Sequence, residues 1–282
     1  APKISKYQAG FQRGRSMQEQ LTVILHASED AIAKATYQAA LFLDLRRAYD
    51  SVWIDGLLYK LAGAGVPASY VRWFASFLRD RQYAVRFGGE TTDYFKAMAG
   101  VPQGAPSSCI LFLLFLNDAP DVCLGTIPLL NADDIAILAS ALGAPGLLQL
   151  QAALDAIHEY CIRWRLSLNP AKSAFIAFTK SPADAPAPLF AVDGVAIPVV
   201  SEVKYLGVLL DSPLRFKPQR DAIRAKTLRL LGWLSHSLRV RLGNLPVPLR
   251  VSLAVVRSLF LPAVRYCSEF WLKNNKALAK FI

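Results

Sequence analysis

The fold of this chain is decided by the stretch Ile127-Pro-Leu-Leu-Asn-Ala-Asp-Asp-Ile-Ala-Ile-Leu-Ala139. Two apolar runs of five residues each flank the acidic segment Ala132-Asp133-Asp134. Short apolar runs separated by a turn predict a β-hairpin, here with the acidic pair at its tip. A further apolar run at 39–45 contains Asp44 near its end and predicts a buried strand. If the strands are neighbours in one antiparallel sheet, their carboxylates converge.

Converging carboxylates indicate a cation. Like charges a few ångströms apart cannot all stay ionised unless a cation neutralises them. Oxygen ligands without a nearby His or Cys favour Mg²⁺ or Mn²⁺ over zinc. Two such ions about 4 Å apart promote in-line phosphoryl transfer. Taken singly, each motif has a simpler interpretation: Asp133-Asp134 as a solvated hairpin tip, and Asp44 as the N-cap of a following helix.

The remaining patterns predict an α+β chain without a regular βαβ period. Helical spacing of apolar residues predicts helices at 17–35, 46–64, 69–78, 105–117 and 147–164, and from Pro218 onward. Strand patterns predict a hairpin at 82–94 that turns at Gly88-Gly89, a strand at 174–179, and a small β element at 192–197 and 203–210.

Charge is distributed unevenly along the 282 residues, whose formal net charge is +11. Residues 212–282 hold 14 basic and two acidic residues, whereas residues 1–211 hold 18 basic and 19 acidic residues. Between Ala97 and Ile162 there is no Lys or Arg, while six acidic residues occur there. This distribution favours a metal site beside a segment that binds a polyanion. A helical tail whose charges only face water is the other interpretation.

Composition excludes several classes of protein. A hydrophobic fraction of 54% with 19% charged residues excludes a disordered basic tail. The longest unbroken apolar run, 109–116, is far shorter than the roughly 20 residues that span a bilayer, so we expect a soluble protein. The four cysteines form no C-x-x-C pair and the three histidines lack ligand spacing, which predicts neither a disulfide framework nor a zinc site. No targeting signal opens the chain, which favours an intracellular protein.

Seven segments occur in an order that resembles a known family. They are Gln8-Ala-Gly-Phe-Gln-Arg-Gly-Arg-Ser16, Leu41-Phe-Leu-Asp-Leu-Arg-Arg-Ala-Tyr-Asp-Ser-Val-Trp53, Gly100-Val-Pro-Gln-Gly104, Ile110-Leu-Phe-Leu-Leu-Phe-Leu-Asn-Asp118, Asn131-Ala-Asp-Asp134, Leu168-Asn-Pro-Ala-Lys172 and Lys204-Tyr-Leu-Gly-Val-Leu-Leu-Asp211. Together they resemble the reverse transcriptase of non-LTR (LINE-type) retrotransposons, over residues 7–271.

The resemblance implies a right-hand polymerase fold within the α+β class. Its domains are fingers, a palm with an antiparallel sheet and the primer-grip hairpin, and a basic helical thumb. In this sequence they fall at 1–38 and 68–96 for the fingers, 39–67 and 97–211 for the palm, and 212–282 for the thumb. We expect the fingers to be truncated at the N-terminus, and neither an endonuclease segment nor a cysteine-rich tail is present in the sequence.

The resemblance also implies a catalytic centre with two Mg²⁺ ions, for which Mn²⁺ can substitute. Asp44 and Asp133 match the metal-binding aspartates of the family, and Asp134 matches their acidic partner. The backbone of Leu45 would complete the metal site. Lys172 matches the lysine that protonates the pyrophosphate leaving group, although an ordinary surface lysine is an equal interpretation.

Nucleotide-binding residues follow from the same resemblance. Tyr49 matches the aromatic steric gate that favours dNTPs over ribonucleotides, with helix packing as the alternative role. Gln103 and Gly104 match the loop that lines the nascent base pair. Arg15, together with Arg13, matches a basic finger position near the triphosphate or the template.

Primer and duplex contacts complete the implied site. Tyr205, Leu206 and Gly207 match the primer-grip hairpin, whose glycine allows close backbone approach to the primer. The thumb arginines would contact phosphates of a duplex that is recognised by shape and charge. They are Arg220, Arg224 and Arg229.

Three positions depart from the family pattern. Asn131 stands where an aromatic residue is usual and predicts looser primer placement; Gln12 replaces an Arg, and Cys109 replaces a Pro. These departures are compatible with an excised fragment, a degenerate copy or a pared-down domain.

The sequence therefore predicts an RNA-directed DNA polymerase that extends a primer 3′-hydroxyl with dNTPs. We expect an RNA template and a DNA primer as partners, no membrane association, and a larger retrotransposon polyprotein around this segment. As a ribonucleoprotein it would occur in the nucleus and the cytoplasm. The alternative is a catalytically inactive reverse-transcriptase-like module that binds RNA or acts as a scaffold. An RNA-dependent RNA polymerase is disfavoured by Tyr49 and by the flanking motifs.

Overall fold

The computed structural model describes residues 3–242, 250–251, 254 and 256–271. Two units make up the chain: the first ends at Val200 and the second begins at Ser201. Within the described residues, no helix combines the length and the apolar character that crossing a bilayer requires.

The first unit is organised around a four-stranded antiparallel sheet in the order β6–β7–β1–β8. These strands are β1 (Tyr37–Leu43), β6 (Thr126–Asn131), β7 (Asp134–Ala139) and β8 (Ala174–Thr179). Every residue of β1 after Tyr37 is buried, so the central strand is covered on both faces. The predicted acidic hairpin and the predicted buried strand are therefore confirmed, and they are neighbours in one sheet.

Five helices surround this sheet and supply the apolar core. Helix α1 packs against β1 and β8, whereas α5 packs against β7 and β1. Alternate β1 residues Leu41 and Leu43 join a buried cluster with Phe112, Phe115 and Leu154, and each side chain of this size contributes roughly 1.5–3 kcal/mol on burial. The helices are α1 (Met17–Ala33), α2 (Ile54–Gly63), α3 (Ala68–Leu78), α4 (Pro106–Phe115) and α5 (Ala144–Arg163).

The predicted helix at 46–64 is wrong in its first half. Residues 46–51 form turns, residues 52 and 53 have no regular structure, and α2 begins only at Ile54. Arg47 has a φ of 46°, a left-handed conformation that interrupts a right-handed helix. The backbone N–H of Arg46 donates to the carbonyl of Ser167 at 2.8 Å. This non-helical segment keeps the residues after Asp44 next to the loop at 167–173.

The segment that follows α3 is an extended hairpin with a glycine turn, as predicted. Strands β2 (Gln82–Tyr83) and β5 (Phe95–Lys96) form the outer ladder, and β3 (Arg86–Phe87) and β4 (Glu90–Thr91) the inner one. Gly88 and Gly89 connect the inner strands with φ angles of 62° and 91°. Such angles favour glycine because it has no Cβ.

The predicted small β element consists of two separate hairpins. Strands β9 (Ala191–Val192) and β10 (Val195–Ala196) pair with each other in the first unit. Strands β11 (Glu202–Tyr205) and β12 (Val208–Asp211) pair with each other in the second unit. Each strand has only two to four residues and finds its partner across a tight turn, so the two hairpins form independently.

The second unit continues from β12 into the long helix α6 (Lys217–Leu242). Asp211 shapes this junction: its carboxylate accepts the backbone N–H groups of Phe216 at 2.6 Å and Arg215 at 3.3 Å. A π-helical turn (Val256–Phe260) and the short helices Leu261–Arg265 and Ser268–Trp271 follow. The helix predicted from Pro218 onward is confirmed over α6.

Candidate active site

The register of the central sheet places two of the predicted carboxylates side by side. Leu43 of β1 pairs with Ile135 of β7 in antiparallel register. The next residue beyond Leu43 is Asp44, and the next residue before Ile135 is Asp134, so these two residues continue the pairing at the same end of the sheet. Asp133 lies in the turn immediately before Asp134, between β6 and β7. The two acidic motifs therefore lie at the same end of one sheet, as predicted.

A loop after α5 holds Asp44 in place. The side-chain amide of Asn169 donates to Asp44 Oδ2 at 3.0 Å. The backbone N–H of Asp44 donates to Ser173 Oγ at 3.1 Å, and that hydroxyl donates to the carbonyl of Asn169 at 2.9 Å. Leu45 and Leu168 form an isolated antiparallel bridge in the same region. Asn169 and Ser173 are functional residues that sequence reasoning missed, although Asn169 belongs to a motif that was recognised.

The charges at this end of the sheet act on one another. The pKa of the Asp134 carboxyl is raised by its partial burial and by the neighbouring charges of Asp133 and Asp44. Across the described residues, no three His, Cys, Asp or Glu side chains are already close enough together to hold a metal ion. A cation would therefore have to draw the three carboxylates inward, because they repel one another without it.

A cavity of about 520 Å³ adjoins these carboxylates. Tyr49 forms one wall, and its ring stacks on Phe112 with 4.5 Å between the ring centroids. The pKa of Tyr49 is raised to about 12, first by burial and then by Cys109 and Asp133. The cavity is lined by Leu45, Arg47, Ala48, Tyr49, Gln103, Gly104, Ala105, Pro106, Ser108, Cys109 and Asp133. The structure thus brings the predicted gate, the Gln-Gly loop, Leu45 and one of the predicted catalytic aspartates, Asp133, together.

The Gln-Gly loop is fixed to the segment that follows β1. Gln103 Nε2 donates to Asp50 Oδ1 at 3.0 Å, and the backbone N–H of Val101 donates to the carbonyl of Tyr49 at 2.9 Å. Gly100 has a φ of 87°, and a Cβ there would lie 2.8 Å from the backbone of Asp50. Glycine is therefore required where this loop crosses the chain.

Arg47 is a cavity residue that sequence reasoning missed. It lines the 520 Å³ cavity and also a neighbouring cavity of about 850 Å³, which continues toward Arg81 and Lys96. Its position three residues after Asp44 could have identified it, but the helix predicted for this segment did not show that its side chain lines the cavity. Arg47 thus adds a basic side chain to the lining of the cavity that also contains Asp133.

Among the described residues, neither Arg15 nor Lys172 forms an ion pair with the three carboxylates, although Arg15 lines a cavity with Asn131 and Ala132 and Lys172 lies in the loop that holds Asp44. Arg15 forms an ion pair with Glu19 at 2.8 Å and donates to the carbonyl of Lys6 at 2.8 Å, so both ends of its guanidinium have partners within the chain. Lys172 is exposed, and no described acidic side chain lies within ion-pair distance of it. Their proposed roles stay predictions.

The departures from the family pattern occupy defined places. Asn131 is the last residue of β6 and pairs with Asp134, so it closes the acidic turn. Gln12 donates a side-chain hydrogen bond to the carbonyl of Gln8. Cys109 lies beside Tyr49 in the cavity.

The second unit carries the predicted primer-grip residues at the turn between β11 and β12. Tyr205 and Leu206 are buried, and Gly207 has a φ of 79°. The hydroxyl of Tyr266 donates to the carbonyl of Leu206 at 2.6 Å, and a Cβ on Gly207 would lie 3.2 Å from the Tyr266 ring. The turn is therefore packed tightly against a residue near the end of the described chain.

The predicted thumb arginines differ in what they touch. Arg224 and Arg229 are exposed on α6, and Arg229 Nε donates to the carbonyl of Ala225 at 3.4 Å. Arg220 is half-buried and donates to the carbonyl of Arg215 at 2.6 Å. A cavity of about 660 Å³ in this unit is lined by Arg229 together with Lys204 and Lys226. Helix α6 thus carries a basic face, and Arg220 also makes a hydrogen bond that stabilises the start of this helix.

Comparison with known proteins agrees with this geometry. Residues 2–210 match the family described as "Reverse transcriptase (RNA-dependent DNA polymerase)". This chain belongs to the reverse transcriptase family. The matched residues include the carboxylate end of the sheet, the cavity of about 520 Å³ and the loop that holds Asp44.

The similar proteins come from non-LTR retrotransposons. The chain is 32% identical over 250 residues to the RNA-directed DNA polymerase from mobile element jockey of Drosophila funebris, covering 86% of this chain and 26% of that protein. It is 26% identical over 276 residues to the Pol polyprotein from type-1 retrotransposable element R1 of Bradysia coprophila, covering 96% of this chain and 27% of that protein. The chain thus spans about a quarter of the length of these relatives, and the family resemblance read from its motifs is confirmed.

Solved structures with the same fold include telomerase. Apo telomerase from Candida tropicalis has a TM-score of 0.51 and 12% sequence identity, over 73% of this chain and 36% of that one. A form of the same enzyme truncated from its C-terminal domain has a TM-score of 0.50 and 15% identity. The fold, with its antiparallel sheet and flanking helices, is the polymerase fold of reverse transcriptases.

Proposed function

We propose that this chain is the catalytic domain of an RNA-directed DNA polymerase, which extends a primer 3′-hydroxyl with dNTPs on an RNA template. The observation that carries the proposal is the meeting of Asp44 and Asp134 at one end of the sheet, beside a cavity that contains Tyr49 and Gln103. A carboxylate centre next to a nucleotide-sized cavity is what in-line phosphoryl transfer requires.

Three carboxylates and one carbonyl are the proposed metal ligands. Asp44, Asp133 and Asp134 offer oxygen donors only, which suits Mg²⁺ and excludes a zinc-type ligand set. The raised pKa of Asp134 supports this role, because the group carries repulsion that a cation relieves. When bound, two Mg²⁺ ions supply Lewis acidity at the attacking and leaving oxygens. The carbonyl of Leu45 is the proposed fourth donor.

The cavity residues are proposed to select and orient the incoming nucleotide. Tyr49 is fixed by its stacking on Phe112, so its ring forms a rigid wall against a ribose 2′-hydroxyl. Gln103 and Gly104 line the same cavity and would contact the nascent base pair through side chain and backbone. The guanidinium of Arg47 is placed to offset the charge of a triphosphate.

We further propose the division into fingers, palm and thumb that the family resemblance implies. The turn at Tyr205-Leu206-Gly207 would hold the primer, and α6 would contact duplex phosphates through Arg224 and Arg229. This mode of binding follows backbone charge and shape, not base sequence. Because similar proteins extend well beyond the region matched here, we propose that the chain acts within a larger retrotransposon polyprotein.

Primer extension on an RNA template tests the proposal. The protein, its Asp133→Asn variant and a control Asp155→Asn variant are assayed with dNTPs and Mg²⁺; Asp155 is an exposed acid on α5. We expect extension by the wild type and the control, and a loss of about 1,000-fold or more in Asp133→Asn. Equal rates in all three would overturn the assigned centre. RNA binding by the wild type without extension in Mg²⁺ or Mn²⁺ would instead support an inactive RNA-binding module.

A further inference from the structure

The segment before α1 runs alongside the strand that leads into the catalytic turn. Gln8 and Leu130 form a parallel bridge. The backbone N–H of Ala9 donates to the carbonyl of Leu130 at 2.8 Å, and the N–H of Leu130 donates to the carbonyl of Tyr7 at 3.0 Å. This short contact continues the sheet beyond β6 and brings the start of the chain to the edge of the active site.

The side-chain amide of Gln8 hydrogen-bonds to the backbone of the catalytic turn. Gln8 is only 2% exposed. Its Oε1 accepts the backbone N–H of Ala132 at 2.9 Å and the N–H of Gly10 at 2.7 Å. Its Nε2 donates to the carbonyl of Ala132 at 3.4 Å. One amide thus contacts both backbone polar groups of the residue that precedes Asp133.

Ala132 needs such support because of its backbone conformation. Its φ is 58°, in the left-handed region that residues with a Cβ rarely occupy. Strained residues of this kind persist only where their surroundings fix them. A Cβ on Gly10 would lie 2.5 Å from the backbone nitrogen of Ala132, so the supporting segment approaches as closely as a chain can.

We propose that Gln8 is a positioning residue that holds the turn at Ala132 and thereby sets the directions of the Asp133 and Asp134 carboxylates. The expected effect on metal binding and primer extension rests on the proposed polymerase function, whereas the support of the Ala132 turn by Gln8 does not. Gln8 touches none of the reacting groups and acts through the turn alone.

The chemistry of the side chain explains why an amide is required. The turn presents one donor and one acceptor to Gln8, and an amide provides the matching acceptor and donor on one planar group without a charge. A glutamate would lose the donor and add a buried charge two residues from Asp134. A methionine keeps the approximate shape and removes all three hydrogen bonds of the amide, two to Ala132 and one to Gly10.

A second buried glutamine supplies a matched control. Gln38 is also 2% exposed, and its amide donates to the carbonyl of Ala139 at 2.7 Å, at the opposite end of β7 from the turn. Gln8→Met and Gln38→Met therefore remove the same kind of buried contact to the same hairpin, but only the first removes it from the catalytic turn.

Amide hydrogen exchange of the hairpin is the primary test, because it needs no enzymatic activity. In Gln8→Met, we expect exchange of the Ala132 amide to accelerate about tenfold or more, since its acceptor is gone, while amides at 135–139 keep their protection. Gln38→Met should leave Ala132 unchanged. Unaltered protection of Ala132 in Gln8→Met would overturn the proposal, whether or not the protein extends primers.

Binding of Mn²⁺ and polymerase activity give the functional readouts. Gln8→Met should weaken Mn²⁺ binding, which is measured from the electron paramagnetic resonance signal of the free ion. It should also raise the Mg²⁺ concentration needed for half-maximal primer extension by about tenfold. The double variant Gln8→Met, Ala132→Gly should recover much of both, because glycine adopts the left-handed turn without support. Equal effects in Gln8→Met and Gln38→Met, or no recovery in a folded double variant, would show a general packing role and reject the assignment.

Discussion

The side-chain amide of Asn169 donates a 3.0 Å hydrogen bond to Oδ2 of Asp44, across 125 residues of chain. The backbone of Asp44 is held from the same loop through Ser173. Asp44, a proposed metal ligand, is therefore oriented by residues that follow α5 and are distant in sequence from its own strand. A carboxylate that must meet a metal ion depends on such orienting contacts.

Replacement of Asn169 should impair catalysis without unfolding the chain. We expect Asn169→Ala to lower primer extension by about 10- to 100-fold at limiting Mg²⁺, as is usual for groups that orient metal ligands. Asn169→Asp should be worse, because it places a second carboxylate against Asp44. Asn117→Ala is the control: its amide contacts Lys3 and Ser5, away from the carboxylates. Wild-type Mg²⁺ dependence in both Asn169 variants would contradict this prediction.

Tyr49 should control the choice of sugar. Tyr49→Ala should admit ribonucleotides, because the ring that blocks a 2′-hydroxyl is gone, whereas Tyr49→Phe should keep dNTP selectivity. Comparing these two variants distinguishes the contribution of the Tyr49 ring to sugar selectivity from that of its hydroxyl. Tyr49→Ala also loses the stacking on Phe112, which contributes about 1 kcal/mol to stability. Competing rNTP and dNTP incorporation measures the effect, and unchanged discrimination in Tyr49→Ala would refute the gate.

Lys60 should make the free energy of unfolding change with pH in the alkaline range. Its side chain is 8% exposed, donates to Asp118 and to the Tyr160 hydroxyl, and lies 3.7 Å above the Trp164 ring. Burial lowers the pKa of Lys60 to about 8 from 10.5, although Asp118 opposes this shift. Between pH 8 and 10 the unfolded chain therefore binds more protons than the folded chain, and the free energy of unfolding rises with pH by about 2 kcal/mol from this group.

Denaturant unfolding at pH 7 to 10 measures that contribution as the difference between wild type and Lys60→Met. The variant should lack the rise, whereas the control Lys34→Met, which changes an exposed lysine paired with Asp30, should keep it. Above pH 10 the raised pKa of Tyr160, caused mainly by burial, acts in the opposite direction, because only the unfolded tyrosine then ionises. Parallel curves for wild type and Lys60→Met would contradict the assignment.

The basic face of α6 should determine the salt dependence of nucleic-acid binding. Each phosphate contact contributes about 0.9 to the slope of log K against log salt on a B-form duplex. Changing Arg220, Arg224 and Arg229 to Gln should lower the slope by up to about 3, because each arginine that contacts a phosphate contributes about one. Titrations at several salt concentrations test this. The control set is Lys3, Arg163 and Lys180. Equal slopes for both sets would mean that this face is only solvated.

The sequence was sufficient for elements whose signals are local. The acidic hairpin and the buried strand were predictable because apolar runs end at turn residues, and their pairing followed from the carboxylates that each carries. The turns at 46–51 were not predictable, since no Gly or Pro interrupts the helical pattern there. What interrupts the helix is Arg47 at positive φ.

The supporting contacts of the site were beyond sequence reasoning for a different reason. Gln8 contacts the turn through backbone groups of Ala132, and backbone groups leave no pattern in the sequence. Asn169 was visible as part of a motif, but its partner 125 residues away was not. The expected positions of Arg15 and Lys172 came from family resemblance alone, and the structure gives Arg15 other partners.

Two long-range hydrogen bonds also determine when the carboxylate site can form during synthesis. The contacts of Gln8 with Ala132 and of Asn169 with Asp44 close loops of 124 and 125 residues, and such closures come late because their entropy cost precedes any gain from packing. A nascent chain that has emerged only as far as α5 already carries all three aspartates but lacks the loop that orients the first of them. Metal affinity should therefore develop only after Ser173 has left the ribosome, which makes it a late reporter of folding.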